Sequence, residues 1–257
     1  MKHLLILIIV CLIGLAANTA RASNNDYQKA GEAYERGDYK TALKLYRDLA
    51  SLGHAQAQYD LGVIYFTGIG LEAEKNPQKV LGTIRDGIAL IAKAAENNNP
   101  DALSMVASFY ERGLKPYSKD LEKAHAYREK AAATGDGLAI YNLGAAVLEG
   151  GFKPPNPKLA AKLFREAAGK NVQGAMFNLG ILALKSSDPA GAYMWFFLSK
   201  EWKPDEKSPT KMLGKLRLIK MRSEKLMNYV GSMLSKDEIL ERKTLAKECV
   251  RKKYRGC

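Results

Sequence analysis

Residues 57–68 read A-x-x-x-L-G-x-x-Y-x-x-G, with Ala57, Leu61, Gly62, Tyr65 and Gly68 as the fixed points. The pattern returns as Ala102, Val106, Ala107, Tyr110 and Gly113. It returns again as Ala139, Leu143, Gly144, Val147 and Gly150, and last as Ala175, Leu179, Gly180 and Ala183. The alanines are 45, 37 and 36 residues apart. Self-similarity at such a period predicts stacked helical repeats rather than one globular core. Each anchor segment places its three fixed points, Ala, Leu and Tyr in the first, four residues apart, on one stripe of a helix.

A second amphipathic helix is predicted in each unit, over Leu121–Ala133 and Leu159–Ala168 in the clearest cases. Polar loops join the two helices at Gly68–Pro77, Gly113–Lys119 and Gly150–Pro157. Shorter breaks near Gly53, Asn97–Pro100, Gly135 and Asn171 separate the units. Gly62, Gly144 and Gly180 fall inside helices, where glycine costs about 1 kcal/mol relative to alanine. The second unit accepts Ala107 at this place, so the demand is for small size, and a crossing helix is predicted there.

These anchor segments, with Lys123-Ala124…Ala131-Ala132 and Phe164-Arg165-Glu166-Ala167-Ala168, resemble Sel1-like repeat proteins, relatives of the tetratricopeptide repeats. Asp188-Pro189…Ala192-Tyr193-Met194-Trp195-Phe196 resembles the second helix of a closing unit. The resemblance covers about 27–200, and the first pair, with Gly37-Asp38-Tyr39 and Ala42-Leu43, looks closer to a tetratricopeptide repeat. Residues 78–92 lengthen the second unit, and Ser186 stands where glycine would. The resemblance implies an all-α, right-handed solenoid of helix pairs and a role in protein–protein interaction. Members of the family act in exopolysaccharide regulation, flagellar-motor accessory roles, secretion and host interaction.

The termini are read separately. Lys2 and His3 precede an apolar run, Leu4–Ala17, too short for a membrane span of about 20 residues. Ala20-Arg21-Ala22 offers a signal-peptidase site, so 1–22 is expected to be a cleaved leader and the protein periplasmic or secreted. An uncleaved anchor is the alternative. The solenoid is then expected over 23–200 and a basic helical cap over 201–257. Ser235-Lys-Asp-Glu238 reads as a capping box, with Leu234 and Ile239 placed as a hydrophobic staple. Tyr193, Trp195, Phe196 and Phe197 are expected to pack under this cap.

Of three cysteines, Cys11 would leave with the leader, so Cys249 and Cys257 remain for one disulfide or two free thiols. A continuous helix would hold their Cα atoms about 12 Å apart, and a disulfide needs less than about 7 Å. Pairing therefore requires the last helix to stop soon after Cys249.

Of the formal net charge of +13, the segment 200–257 carries 17 Lys/Arg against 8 Asp/Glu. Anionic envelope surfaces or an acidic protein face are the partners this suggests, beside a merely solvated surface. An exported protein rarely meets nucleic acid.

Catalytic chemistry finds little footing. His54 and His125 have no nucleophile paired with them in the sequence. Ser208-Pro-Thr-Lys211 matches the S-x-x-K of penicillin-recognising enzymes but lacks their later S-D-N and K-T-G elements. The β-lactamase-like branch of the resembled family carries a disulfide in nearly every repeat, and that framework is absent. No enzyme, cofactor or metal is expected.

Binding is expected on the concave groove of the first helices. Asp60, Asn142 and Asn178 hold one place in three repeats, immediately before the anchor leucine. They are candidates to hydrogen-bond an extended peptide, with Asp101, Arg112, Glu149 and Lys185 adding charge selectivity. The expected partner is a protein of the cell envelope. The alternatives are an anionic cell-wall or polysaccharide surface met by the basic cap, an envelope enzyme, and a groove row that is only solvated.

Overall fold

Short polar side chains start most of the helices. Asp38, Asp120, Asp136, Asn156 and Asp188 each accept a hydrogen bond from the backbone N–H three residues on. Asn99 does the same for Ala102 at 2.8 Å. Each cap satisfies one of the donors that a helix N-terminus leaves without a partner. Pro77, Pro100, Pro157 and Pro189 each stand as the first helical residue, where the missing N–H is no loss.

The computed structural model describes residues 24–68, 77–203, 213–252 and 254. The expected leader, Ser208–Lys211, Lys253 and Cys257 lie outside them. Helices fill the described residues and no strand occurs among them: α1 (24–35), α2 (Tyr39–Ser51), α3 (Ala55–Thr67), α4 (Pro77–Glu96), α5 (Pro100–Arg112), α6 (Leu121–Ala133), α7 (Gly137–Glu149), α8 (Pro157–Gly169), α9 (Gln173–Lys185), α10 (Pro189–Glu201), α11 (Leu213–Gly231) and α12 (Lys236–Arg251). The all-α solenoid class read from the repeat period holds. Eight of these helices are 13 residues long. The lengthening of the second unit is helical, since α4 runs for 20 residues.

The chain forms two compact units, one through Val106 and one from Ala107, divided within α5. In the first, Ala30, Ala33, Ala42, Tyr46, Leu49, Ala57, Leu61 and Ile64 make the core. Gly62 is where α4 crosses α3. A Cβ there would stand 2.8 Å from Ile91 Cγ1 and 2.9 Å from the Gly87 carbonyl oxygen. A Cβ on Gly87 would in turn stand 2.6 Å from Phe66 N and 2.7 Å from Gly62 O. Two glycines thus let two backbones touch. Gln58, fully buried, donates to Ala50 O at 3.1 Å and accepts from Asn97 at 2.9 Å, tying α3 to the ends of α2 and α4.

The second unit solves the same crossing differently. A Cβ on Gly144 would meet the Phe164 ring at 2.9 Å, and one on Gly180 would meet the Phe196 ring at 2.5 Å. Both phenylalanines are fully buried, so glycine here makes room for an aromatic ring. Ala107 has Arg128 at the equivalent place on the following helix. That guanidinium reaches Glu111 Oε2 at 2.7 Å.

Gly68 ends α3 at φ +69°, the left-handed conformation that glycine adopts without penalty. Where Ser186 replaces this glycine, Ser186 stays outside that region and Ser187 takes φ +60° instead. The α9–α10 connection shrinks to Ser186-Ser187-Asp188.

The cap belongs to the second unit. α10 packs against α9, α11 and α12. Tyr193 and Phe196 meet Met227 and Val230 of α11, with Leu234 and Ile239 alongside. Trp195 packs with Ala246 and Cys249 and stacks on Tyr254. The capping box is formed as read, Ser235 Oγ accepting from Glu238 N while the Glu238 carboxylate accepts from Ser235 N at 2.7 Å. Cys249 is buried, and the chain turns just beyond it. α12 ends at Arg251, and Tyr254, at φ +61°, donates its N–H to Cys249 O.

Candidate functional site

The expected polar row does not stand free along α3 and α9. Asp60 is partly buried, and the Tyr27 hydroxyl of α1 donates to its Oδ2 at 2.5 Å. Gln56 donates to its Oδ1 at 3.3 Å and is itself held by Asn99 at 2.7 Å. Burial lifts the Asp60 carboxyl from 3.8 to about 6. The Tyr27 and Gln56 hydrogen bonds pull it back, and nearby Asp101 pushes it up. Burial, then the same carboxylate, drive the Tyr27 hydroxyl well above its ordinary value. Tyr59 is pushed up to about 12 by burial and by Asp101 and Asp60. This end of the first unit is a carboxylate set among phenols, poorly solvated and short of positive charge.

In the second unit Asn178 is hydrogen-bonded to Tyr141 of the preceding first helix. The row therefore has a structural use. In both units a tyrosine from the preceding first helix reaches the Asp or Asn and ties successive repeats together. Asn142 is half-buried on α7. Glu149 and Lys185, both exposed, follow Asn142 and Asn178 by seven residues, which places each pair on one stripe about 10 Å apart. Arg112 ends α5, exposed, at the place equivalent to Glu149 and Lys185, and Asp101 lies half-buried in the first turn of α5.

His54 and His125 have structural partners. His54 starts α3, its Nδ1 accepting from Ala57 N at 3.2 Å while its ring stacks on Tyr27. His125 lies 3.1 Å from Glu129 through Nε2 and packs beside Phe152. Among the described residues no cluster of His, Cys, Asp and Glu has the makings of a metal site.

The profile of the Sel1 repeat matches residues 26–54, 55–99, 100–136 and 137–172. The chain belongs to the Sel1 repeat family. The first helix pair, whose sequence resembles a tetratricopeptide repeat more closely, is itself a Sel1 repeat. Ala30-Gly31-x-x-Tyr34-x-x-Gly37 repeats Leu61-Gly62-x-x-Tyr65-x-x-Gly68, and the signal was hidden by Ala30 in place of leucine. The profile stops at 172, while α9 and α10 repeat the Gly-to-Phe crossing one unit further on.

The chain is 28% identical over 150 residues to chitin synthase regulatory factor 3 of Schizosaccharomyces pombe, spanning 57% of this chain and 14% of that protein's length. The crystal structure of a Sel1 repeat protein from Oxalobacter formigenes superposes with a TM-score of 0.60 at 21% identity, over 88% of each chain. The c5321 protective antigen of uropathogenic Escherichia coli strains, displaying an SLR fold, gives 0.36 at 18% identity, over 90% of this chain and 62% of that one. Proteins of this Sel1 family generally mediate protein–protein interaction.

Proposed function

We propose that this Sel1 repeat protein is a non-catalytic adaptor or regulator of the bacterial cell envelope, exported through a cleaved leader over 1–22. It binds an extended segment of a partner protein on its first helices. The observation that carries this reading is the paired stripe on α7 and α9. Asn142 and Asn178 lie on one line with the exposed ends Glu149 and Lys185, and Arg112 ends α5 at the equivalent place. An amide supplies both a donor and an acceptor to a peptide backbone, and the flanking charges select among partner side chains. Asp60 and Asp101 give the first unit an acidic counterpart. Because Asn178 also bonds Tyr141, the partner competes for its remaining amide groups.

The test begins with capture of the partner from the native envelope on the mature chain. Asn142→Ala with Asn178→Ala then weakens binding by about 1–3 kcal/mol, the cost of hydrogen bonds lost at a desolvated site, with the melting temperature lowered only slightly. A second reading rests on the excess of Lys/Arg in the cap and places an anionic cell-wall or polysaccharide surface there. If affinity survives the asparagine changes but is abolished by charge reversal at Lys252 and Lys253, the second reading replaces the first.

An oxidising compartment fits a Cys249–Cys257 bond. Its support is the burial of Cys249, the end of α12 at Arg251 and the Tyr254 N–H that donates back to Cys249 O.

A further inference from the structure

The outward face of α11 has no role in the binding mode above. The helix buries Ser223, Met227 and Val230. On the opposite side, Leu218 is 48% exposed, Met221 59% and Tyr229 56%. At 100° per residue, Leu218, Met221, Arg222, Lys225 and Tyr229 fall in one stripe roughly 100° wide. Arg217 flanks it, and every one of these cations is exposed. The single acidic residue of α11, Glu224, lies off the stripe and is paired with Lys200 at 3.5 Å.

We infer that this face seats the protein on an anionic phospholipid bilayer, with Leu218, Met221 and Tyr229 entering the headgroup region and Arg217, Arg222 and Lys225 meeting lipid phosphates. The pattern separates this occupant from others. A soluble polyanion would use the cations and leave Leu218 and Met221 in water. A partner helix would need a continuous apolar seam, whereas here a cation stands between the apolar residues on successive turns. Long basic stems lying along apolar side chains, with charged heads reaching phosphate level, are how interfacial helices bind. Tyrosine favours that boundary, where its ring is covered and its hydroxyl stays wet. The attachment is peripheral, because no helix among the described residues is long and apolar enough to cross a membrane.

The test uses the mature chain, from residue 23, and vesicles of phosphatidylglycerol and phosphatidylcholine in equal parts, against vesicles of phosphatidylcholine alone. Sedimentation at low ionic strength gives affinity, and lysine-reactive footprinting reads the site. Binding to the anionic vesicles with protection of Lys225 is the expected result. Arg217→Gln, Arg222→Gln and Lys225→Gln together weaken it on the order of 100-fold, each juxtamembrane cation contributing about a factor of five. Leu218→Ser, Met221→Ser and Tyr229→Ser together weaken it roughly tenfold or more, with helicity and retention on a heparin column unchanged. Full affinity in both variants overturns the inference, as does binding without protection of Lys225, which puts the contact elsewhere in the chain. Loss in the cation variant alone overturns it too, in favour of an acidic glycan or protein.

Discussion

Asp60→Asn should stabilise the first unit at neutral pH and leave it unchanged in acid. The Asp60 carboxyl sits among Tyr27 of α1, Tyr46 of α2, Tyr59 of its own helix and Asp101 of α5, and its hydrogen bonds come from neutral groups, Tyr27 and Gln56. Burial is the dominant cause of its rise from 3.8 to about 6. A carboxyl group whose folded value exceeds its unfolded one stabilises the fold fully below the unfolded value, and that contribution is lost as pH rises through the folded value. The window is therefore about pH 4 to 6. Above it the ionised form costs about 3 kcal/mol, at 1.36 kcal/mol for each step of ten in acidity. Asparagine removes the charge and keeps an oxygen for the Tyr27 hydroxyl. The chain already uses that pairing where Asn178 meets Tyr141. Hydrogen exchange of α3 amides is the suitable assay, because repeat chains open in parts. Protection in the variant should match the parent at pH 4 and exceed it by about 3 kcal/mol at pH 7.5. A variant less protected at pH 7.5, or a difference that does not change with pH, would refute the reasoning, since either outcome means the carboxylate is well solvated or well paired.

Gly180→Ala should destabilise the second unit more than Gly144→Ala, since the new methyl meets Phe196 at 2.5 Å but Phe164 at 2.9 Å. Overpacking costs about 1–3 kcal/mol against a helix gain of about 1, and urea melts that reverse the order would remove the ring from the explanation. His54→Ala should cost about 1 kcal/mol through the lost cap, with His54→Asp restoring most of it. Equal melting temperatures for the parent and the alanine variant would show that the cap contributes nothing. Cys249 and Cys257 should resist alkylation in the exported protein until reductant is added, and two alkylated cysteines in the unreduced sample, seen by intact mass, would rule the bond out.

The features that sequence reasoning reached are those a single repeat dictates. The period, the small residue inside each first helix, the left-handed turn at Gly68 and the reciprocal bonds of Ser235 and Glu238 all depend on neighbours within a few residues or on the same place in another unit. What it missed depends on which side chain arrives from a different element. Asp60 and Asn178 looked like an open row, but their partners Tyr27 and Tyr141 come from 33 and 37 residues earlier, so the row first serves the stacking of repeats. The crossing shows the same distinction within one motif. Gly62 needs glycine because Gly87 brings a backbone against it and Gly144 and Gly180 because a phenylalanine ring does, whereas the helix after Ala107 carries Arg128, paired with Glu111, in the register of those rings. Smallness is thus a property of the pair, not of the position. A substitution at any of these sites has to be judged with its opposite residue in hand, which is also why the same alanine that is at home at 107 should be costly at 180.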